Sequence, residues 1–401
     1  MVLLLEFLMN FSFLINIVAL LFSFFVVGVL LGVIFSEIFR ARLVKILRRS
    51  ARNPIIRPGT HPWNAEAVLN PAAAVIPGRA GGGRTHLIYR AIGMDGVSRL
   101  GYASSANGIV FDKQLPYPAF VANNPRFSTS WQIGRRSLLQ ANKCRYSPVM
   151  YPSGGSWGGC EDPRMVLLDK RVYITFNMFD GWDFIRVAVI SIAQDDFLAE
   201  RFGEWSGPHI LSKPHEIQKN WVLFPEKIGG RFAILHSIAP EIEIAYRDSL
   251  ENVGTTEPFI ESWVGSRNDL PARDGWDSFV RGAGPPPVRT DIGWLLFYHA
   301  INKNDPGRYK LGAMLLDLVD PTKILYRAAA PILSPDETYE NEGKPGVVYA
   351  CGAVVRNGTL FVYYGGADKV VCVATAPLQS FLAALVEGGK PALTPQKAQT
   401  V

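Results

Sequence analysis

A pattern of short β-rich runs, repeated five times along the chain, constrains its fold more than any other sequence feature. Each unit has a glycine- or proline-rich entry, an apolar strand, a turn, a strand rich in Tyr and Phe, and another apolar strand. Turn signals at this spacing indicate antiparallel meanders, and repeats of roughly 40 to 60 residues are typical of a propeller. We therefore expect an all-β, five-bladed β-propeller, with two separate β-sandwiches as the alternative.

The strands predicted from this pattern lie between His86 and Ala374. In order they are His86–Arg90 and Ser98–Ala103; Asp162–Met165, Val172–Phe176 and Arg186–Ile192; Phe224–Ile228, Phe232–His236 and Ile242–Tyr246; Pro285–Arg289, Trp294–His299 and Tyr309–Leu316; Cys351–Val355, Leu360–Tyr364 and Val370–Ala374. The preceding stretch, Asn53 to Gly83, is rich in Pro, Gly and Ala and is predicted to be a linker and entry loop, with a turn at Asn70-Pro71. Apolar residues at helical spacing predict a short closing helix over Pro377–Val386.

The N-terminal segment contains a long apolar run. Phe7 to Phe35 carries no charged residue, and a bilayer span needs about 20 apolar residues. Basic residues follow the run, at Arg40, Arg42, Lys45, Arg48, Arg49 and Arg52. A cleaved signal peptide would have a basic start, which is absent here. We expect a single-pass membrane helix with the following domain on the cytoplasmic side, and two regions: an anchor with its basic flank (1–52) and a β-propeller (53–401).

The charge and the cysteines exclude two classes of function. The net charge of +6 is accounted for by the basic flank, so the sequence does not indicate a nucleic-acid partner. The four cysteines, Cys144, Cys160, Cys351 and Cys372, include no Cys-x-x-Cys pair. They predict neither a zinc site nor a disulfide framework, and free thiols suit a reducing compartment.

The strongest chemical motif is Gly158-Gly159-Cys160-Glu161-Asp162-Pro163-Arg164. Two carboxylates and an arginine follow a glycine-rich loop at the start of a predicted strand, and proline suits that position. Alone, the motif is more typical of a surface turn with a local ion pair. In a propeller, however, the first strand of each blade lines the channel. Asp162, Lys227, Arg289 and the residues around Gly352 should then point toward a common axis, which predicts a functional pocket.

At this point the sequence resembles the family 130 glycoside phosphorylases and hydrolases, which act on β-mannosides. The resemblance rests on Gly159–Arg164, Phe224–Ile228, Gly282–Pro287, the Tyr298-His299 pair, Gly352–Val355 and Tyr364–Asp368. It covers roughly Asn53 to Leu385 and touches every unit. The family's fold is a five-bladed β-propeller, in agreement with the repeat count.

The resemblance implies roles for individual residues. Asp162 would donate the proton to the leaving glycosidic oxygen, by way of a sugar hydroxyl. The implied substrate-binding residues are Asn70, Arg90, Glu161, Arg164, His299 and Asp368, and the implied phosphate-binding residues are Lys219, Asn220, Arg289 and Tyr309. Inorganic phosphate would be the co-substrate, with no other cofactor and no metal. The expected sugar partner is a β-mannoside or a related oligosaccharide or glycolipid.

Two positions depart from the family pattern. Ser237 stands where the family has an arginine expected to bind phosphate, and Lys219 stands where many members have arginine. An inverting hydrolase needs a second carboxylate to activate water, whereas a phosphorolytic enzyme needs cations. Glu241 and Glu243 could supply that carboxylate, although their alternation equally fits the exposed face of a strand. The sequence favours an inverting phosphorylase.

Several alternatives remain open at this stage. The same pocket could serve a β-mannoside hydrolase, a mannosyltransferase or a non-catalytic glycan-binding propeller, and a propeller can also act as a protein-interaction scaffold. Retention of both Asp162 and Asp368 favours an enzyme over a binder, because a pure binder has little use for a positioned acid.

Overall fold

The computed structural model describes residues 20–33, 47–78, 82–122, 146–148, 150–151, 153–180, 185–262, 275–388 and 390–391. Within these ranges the protein is mostly β, and its strands β1 to β21 form four hydrogen-bonded sheets. The largest sheet contains two antiparallel runs, which are joined by a short parallel pairing of Val97 and Ser98 with Gly158 and Gly159. The strands therefore form five antiparallel runs, which we call meanders 1 to 5. Hydrogen-bonded pairing within each unit is antiparallel, as the turn signals indicated.

The meanders follow one another along the chain. Meander 1 contains β2 (Ala67–Pro77), β3 (Gly83–Ile92), β4 (Val97–Ser105) and β5 (Lys113–Gln114). Meander 2 contains β6 (Gly158–Leu168), β7 (Arg171–Asp180), β8 (Ile185–Ala193) and β9 (Ser206–Ile210), and meander 3 contains β10 (Val222–Leu223), β11 (Phe232–Ser237) and β12 (Glu243–Arg247). Meander 4 contains β13 (Phe279–Ala283), β14 (Val288–Thr290), β15 (Gly293–Asn302), β16 (Asp305–Leu316), β17 (Ile324–Arg327) and β21 (Lys390–Pro391). Meander 5 contains β18 (Val348–Arg356), β19 (Thr359–Gly366), β20 (Val370–Pro377) and the early strand β1 (Arg48–Arg49).

The helices are few within the described residues. They are α1 (residues 20–33), α2 (Gln194–Leu198) and α3 (Leu378–Gly388), with short 3-10 turns at Phe202–Glu204 and Thr338–Glu340. The predicted closing helix is confirmed as α3. Its buried residues, Phe381, Leu382, Ala384 and Leu385, pack into the apolar core between meanders 4 and 5.

The apolar core is divided into layers that each lie between two meanders. Separate clusters fill the contacts between meanders 1 and 2, 2 and 3, 3 and 4, and 4 and 5. A fifth cluster joins meander 5 to meander 1, and includes Val68, Leu87, Val354, Tyr363 and Val373. The apolar clusters therefore link each meander to the next, and meander 5 back to meander 1.

A short N-terminal strand also connects the two ends of the described β region. Arg48 and Arg49 pair with Thr375 and Ala374 of β20, so β1 lies before the predicted domain boundary at residue 52 and still belongs to meander 5. Arg49 donates from Nε and Nη2 to the carboxylate of Glu340, at 2.8 and 2.9 Å. Because Glu340 is fully buried, this ion pair compensates a charge that would otherwise be costly.

The predicted linker from Asn53 to Gly83 is wrong in its central part. Residues Ala67–Pro77 form the strand β2, which is buried over nearly its whole length. Asn70-Pro71 is not a turn between elements but part of a β-bulge, where the register of β2 against β3 shifts between Leu69 and Ala72. The run of Pro and Ala is compatible with a strand here because small side chains allow close packing: a Cβ on Gly352 of β18 would lie 2.7 Å from Ala73.

The predicted membrane span is also wrong. Within Phe7 to Phe35 the structure describes residues 20–33, which are helical. None of the helices in the described ranges is long and apolar enough to cross a membrane. Residues 7–19 and 34–35 lie outside the described residues. The predicted single-pass membrane localisation is corrected accordingly.

Three of the cysteines, Cys160, Cys351 and Cys372, are buried free thiols. Burial raises the pKa of the Cys160 and Cys351 thiols to about 12, so they act as small core residues. Cys144 lies outside the described residues.

Candidate functional site

The site is built on four residues whose backbone is left-handed. Asn70, Asp162, Asn220 and Asp368 have φ angles of 47°, 49°, 65° and 51°. Asn and Asp tolerate this region better than other residues with a side chain, and such conformations concentrate at functional sites. Asn70 and Asp162 each precede a proline and each lie in a β-bulge. Bulges change the direction in which a side chain points, and these two bring both side chains to one place.

Asp162 lies at the centre of the site. Its Oδ1 accepts hydrogen bonds from Asn70 Nδ2 at 2.7 Å and from Arg90 Nη1 at 3.1 Å. Burial raises the pKa of Asp162, but the charges of Arg90, Arg164 and Lys219 outweigh it, and the pKa falls to about 2. With these cations around it, the carboxylate is ionised at neutral pH.

Glu161 is held on the other side of Arg90. It is fully buried, and its Oε1 accepts from Arg90 Nη2 at 2.9 Å and from the Ser156 hydroxyl at 3.2 Å. Its Oε2 accepts from the Ser153 hydroxyl at 2.7 Å and from Lys219 Nζ at 3.0 Å. Because both of its carboxylate oxygens accept hydrogen bonds from protein donors, Glu161 orients Arg90 and Lys219.

A third group joins meander 2 to meanders 3, 4 and 5. Arg164 donates from Nη1 to the Asp162 carbonyl at 2.6 Å and from Nη2 to Asn220 Oδ1 at 3.0 Å. The Tyr349 hydroxyl donates to the same Asn220 oxygen at 2.9 Å, and its ring stacks on His299 at 3.8 Å. These contacts fix the backbone on which Asp162 stands.

His299 supports this group from behind. Its side chain is fully buried, and Nε2 accepts from the Ala350 N–H at 2.9 Å, so the imidazole proton lies on Nδ1. Burial, reinforced by Arg164, lowers the pKa of His299 to about 3. The predicted substrate-binding histidine is thus a neutral ring packed under Tyr349.

The last wall of the site comes from meanders 4 and 5. Burial raises the pKa of Asp368 against the opposing effect of Lys344 and Arg90, and Lys344 Nζ lies 3.5 Å from Asp368 Oδ2. Lys344 Nζ is also 5.5 Å from the centroid of the Tyr309 ring, and the Arg281 guanidinium is 5.8 Å from it. Two cations therefore approach one aromatic ring beside the site.

Two cations predicted to point toward the common axis lie elsewhere. Arg289 is exposed and donates from Nε to Glu226 at 3.1 Å. Gly284, whose carbonyl accepts from Arg164 Nε, is five residues before it, or about 16 Å along an extended chain. Lys227 pairs with Asp169 in the β6–β7 turn at 2.9 Å. Lys227 lies in the connection after β10, and Arg289 lies in the short strand β14.

Ser237, which stands where the family has an arginine, and the nearby Glu241 and Glu243 belong to the β11–β12 connection and its flanks. The Ser237 hydroxyl donates to the carbonyls of Ala239 and Glu241, at 3.3 and 3.1 Å, within the β11–β12 connection. The Glu243 carboxylate lies 3.4 Å from His236 Nδ1, and Glu241 is exposed. The described contacts join neither glutamate to Asp162.

Sequence reasoning missed Ser153, Ser156, Arg281, Lys344 and Tyr349. The two serines had a visible signal, because Ser153-Gly154-Gly155-Ser156 directly precedes the acidic motif. Gly154 has φ +68°, and a Cβ there would lie 2.7 Å from Arg90 Nη1. Tyr349 lies just before the point at which the fifth unit was predicted to begin.

Together the described residues surround the buried Asp162 carboxylate with an excess of positive charge. Arg90, Arg164, Lys219 and Lys344 carry four positive charges and Glu161, Asp162 and Asp368 at most three negative ones, an excess of one; Arg281 adds another. Such a site can bind an anionic nucleophile next to a proton donor, which defines an enzyme of acid-assisted group transfer.

Comparison with known proteins identifies the family. A family model described as beta-1,4-mannooligosaccharide phosphorylase, of glycoside hydrolase family 130, matches residues 142–387. A 1,2-beta-oligomannan phosphorylase of Thermoanaerobacter sp. (strain X514) is 34% identical over 343 residues, which is 82% of this chain and 96% of the relative. A beta-1,2-mannobiose phosphorylase of the same organism is 33% identical over 344 residues, with the same coverage. The chain belongs to glycoside hydrolase family 130.

A solved structure agrees with this assignment at the level of the fold. The beta-1,2-mannobiose phosphorylase from Listeria innocua, in complex with beta-1,2-mannobiose, superposes with a TM-score of 0.59. The match is 23% identical and covers 84% of this chain and 99% of that one.

Proposed function

We propose that this protein is an inverting glycoside phosphorylase that acts on β-mannosides, with inorganic phosphate as nucleophile and Asp162 as the acid. The observation that carries the proposal is the excess of positive charge directly beside Asp162. A phosphate anion needs cations and no general base, whereas an inverting hydrolase needs a second carboxylate to activate water. Glu161, which shares Arg90 with Asp162, is already bound by four protein donors.

The chemistry follows from the charges. A phosphate oxygen forms a bond to the anomeric carbon while the glycosidic carbon–oxygen bond breaks, and the Asp162 proton reaches the leaving oxygen through a sugar hydroxyl. The products are mannose 1-phosphate and the shortened acceptor. Before phosphate binds, Asp162 is ionised because its pKa is about 2. Bound phosphate offsets the cations that depress this pKa, so phosphate binding favours the protonated acid.

The substrate class is taken from the relatives. The two Thermoanaerobacter relatives, which match 82% of this chain, are named for β-1,2-linked mannosides. We infer that β-1,2-mannobiose and longer β-1,2-oligomannans are the substrates to test first. Asn70, Arg90 and Asp368, which surround Asp162, would hold the reacting sugar.

We also infer that the five meanders are the blades of a β-propeller. The support is the order of the apolar clusters, which passes from each meander to the next and from meander 5 back to meander 1. The β1–β20 pairing would then close the ring. This arrangement explains why the site takes residues from all five units.

The proposed function predicts that turnover of β-1,2-mannobiose depends on phosphate. We expect the rate to rise hyperbolically with phosphate concentration, because phosphate is a substrate, and mannose 1-phosphate to form in equal amount to the mannose released. Chromatography with and without phosphate measures this. A rate that is independent of phosphate, with free mannose as the only product, would overturn the phosphorylase assignment.

A further inference from the structure

The side chain of Asp368 is presented by a turn with an unfavourable backbone conformation. Ala367 and Asp368 lie between β19 and β20 and have left-handed φ angles of 52° and 51°. Residues with a side chain rarely adopt this region, and alanine has no polar group that could stabilise it locally. Such a conformation persists only where the surrounding structure fixes it. The position of the Asp368 carboxylate therefore depends on the contacts that hold the backbone of Ala367.

Residues 337–347, which precede β18, hold that backbone. The Ala367 N–H donates to the Val347 carbonyl at 3.0 Å, and the Ala367 carbonyl accepts from the Lys344 N–H at 2.7 Å. Lys344 also reaches the carboxylate itself, because its Nζ lies 3.5 Å from Asp368 Oδ2. The 337–347 segment thus fixes both the turn and the side chain that the turn presents.

A buried carboxylate anchors the 337–347 segment on its other side. Glu340 is fully buried, and its backbone carbonyl accepts from the Val347 N–H at 3.3 Å. Its Oε1 accepts from the Tyr364 hydroxyl at 2.8 Å, and its Oε2 accepts from the Glu337 N–H at 3.0 Å. Because Tyr364 belongs to β19, Glu340 ties the two ends of the segment to each other and to the strand that leads into the turn.

Arg49 of β1 supplies a positive charge to this buried carboxylate. Its Nε and Nη2 donate to the two oxygens of Glu340, and Nη2 also donates to the Ser334 carbonyl. A bidentate pair of this kind fixes the orientation of the carboxylate as well as compensating its charge. A buried carboxylate that loses its cation is costly, so removal of Arg49 would favour movement of Glu340 toward water and would loosen the 337–347 segment.

We propose that Arg49 is a positioning residue for Asp368, on which it acts through Glu340 and the 337–347 segment. The inference rests on the proposed function, in which Asp368 holds the reacting sugar. The contacts run from the β1 arginine to the buried glutamate, through the segment, to the turn between β19 and β20. A residue near the start of the described β region thereby determines the geometry of a turn near its end.

The test compares variants of β1 by steady-state kinetics on β-1,2-mannobiose. The loss of one hydrogen bond to a charged group weakens binding about tenfold or more, so we expect Arg49→Met to raise the KM for mannobiose about tenfold. Arg49→Lys, which keeps the charge but not the bidentate geometry, should give an intermediate KM. Arg48→Met is the matched control, because Arg48 lies on the same strand with an exposed side chain. It should leave both the KM for mannobiose and kcat unchanged.

The effects on KM and kcat separate a positioning role from a loss of fold. A partly unfolded variant contains less active enzyme, which lowers the apparent kcat and leaves the KM unchanged. A displaced Asp368 instead weakens the contact with the sugar and raises the KM for mannobiose. Thermal unfolding curves identify a temperature at which the variants are folded, and the rates are measured there. If Arg49→Met does not fold, Arg49→Lys decides the question, because lysine retains a charge beside Glu340.

The outcomes also separate this proposal from the one it rests on. Parental KM values for mannobiose in the folded Arg49 variants, or a fall in kcat alone, would refute the positioning role and leave the proposed function intact. An equal rise in KM with Arg48→Met would refute it as well. A parent enzyme that cleaves mannobiose without phosphate would overturn the phosphorylase assignment, and the KM comparison would still decide the role of Arg49. A parent enzyme that does not cleave β-mannosides would overturn both proposals.

Discussion

Replacing Asp162 with asparagine is expected to reduce phosphorolysis of β-1,2-mannobiose by 10²- to 10⁴-fold, the usual contribution of a general acid. Asparagine is nearly isosteric and its oxygen can still accept from Asn70 and Arg90, which donate to Asp162 Oδ1 in the parent protein. The fold and the binding of mannobiose should therefore persist. Steady-state rates together with mannobiose titration by calorimetry measure the two effects separately.

Asp169→Asn provides the matched control. Asp169 lies in the β6–β7 turn with φ +50°, a conformation that asparagine also tolerates, and pairs with Lys227 rather than with the site. Its substitution should leave the rate unchanged. An Asp162→Asn enzyme with full activity would remove Asp162 from the mechanism.

Arg90→Met is expected to have the largest effect on stability. Arg90 is 1% exposed and binds the carboxylates of both Glu161 and Asp162. Removing one partner of a buried ion pair typically costs about 3–5 kcal/mol, because the remaining charge is left without compensation. We expect a loss of that size in the free energy of unfolding, measured by urea denaturation at neutral pH. The control is Arg99→Met, because Arg99 pairs with a half-exposed Asp95 and should cost no more than about 1 kcal/mol.

The same variant should change how stability depends on pH. In the parent protein the pKa of Asp162 falls from the ordinary 3.8 to about 2. The resulting stabilisation, about 2 kcal/mol, is present above about pH 4 and is lost as the pH falls toward 2. Without Arg90, the pKa of Asp162 rises and this acid-side loss becomes smaller. Equal losses of stability in Arg90→Met and Arg99→Met at neutral pH would contradict the buried network.

The sequence predicted the meanders well because their signals are local. Turn pairs such as Asp169-Lys170 and Asn357-Gly358 have the left-handed φ angles that short hairpins require. The strands between them carry apolar side chains in continuous runs. The closing helix α3 was equally predictable, because its buried residues recur at helical spacing.

Two strands, β1 and β2, could not be predicted from local sequence signals. The strand β2 is rich in Pro and Ala, residues with low strand propensity, and becomes a strand only because it packs closely against β3 and β18. The strand β1 consists of two arginines, whose pairing with β20 is a contact across more than 300 residues.

The sequence predicted those residues of the site that belong to a recognisable motif, and it did not predict the others. The acidic motif with Asn70, Arg90, Lys219 and Asp368 converges on Asp162, as the resemblance implied. Arg289 is exposed and pairs with Glu226, a contact that the sequence pattern did not indicate, and its role in phosphate binding stays a prediction. Arg281 had no motif to mark it. Its position beside the Phe279 and Tyr309 rings depends on how the chain folds, so the sequence alone did not indicate it.

The identity of the nucleophile can be measured directly with labelled phosphate. The reaction of β-1,2-mannobiose is run in unlabelled water with phosphate that carries ¹⁸O at all four oxygens, and the products are weighed by mass spectrometry. We predict mannose 1-phosphate that retains all four labels, including the oxygen that bridges carbon and phosphorus, because a phosphate oxygen attacks the anomeric carbon. Two molecules of free mannose per mannobiose, with no mannose 1-phosphate and at the same rate whether or not phosphate is present, would show that water is the nucleophile and would contradict phosphorolysis.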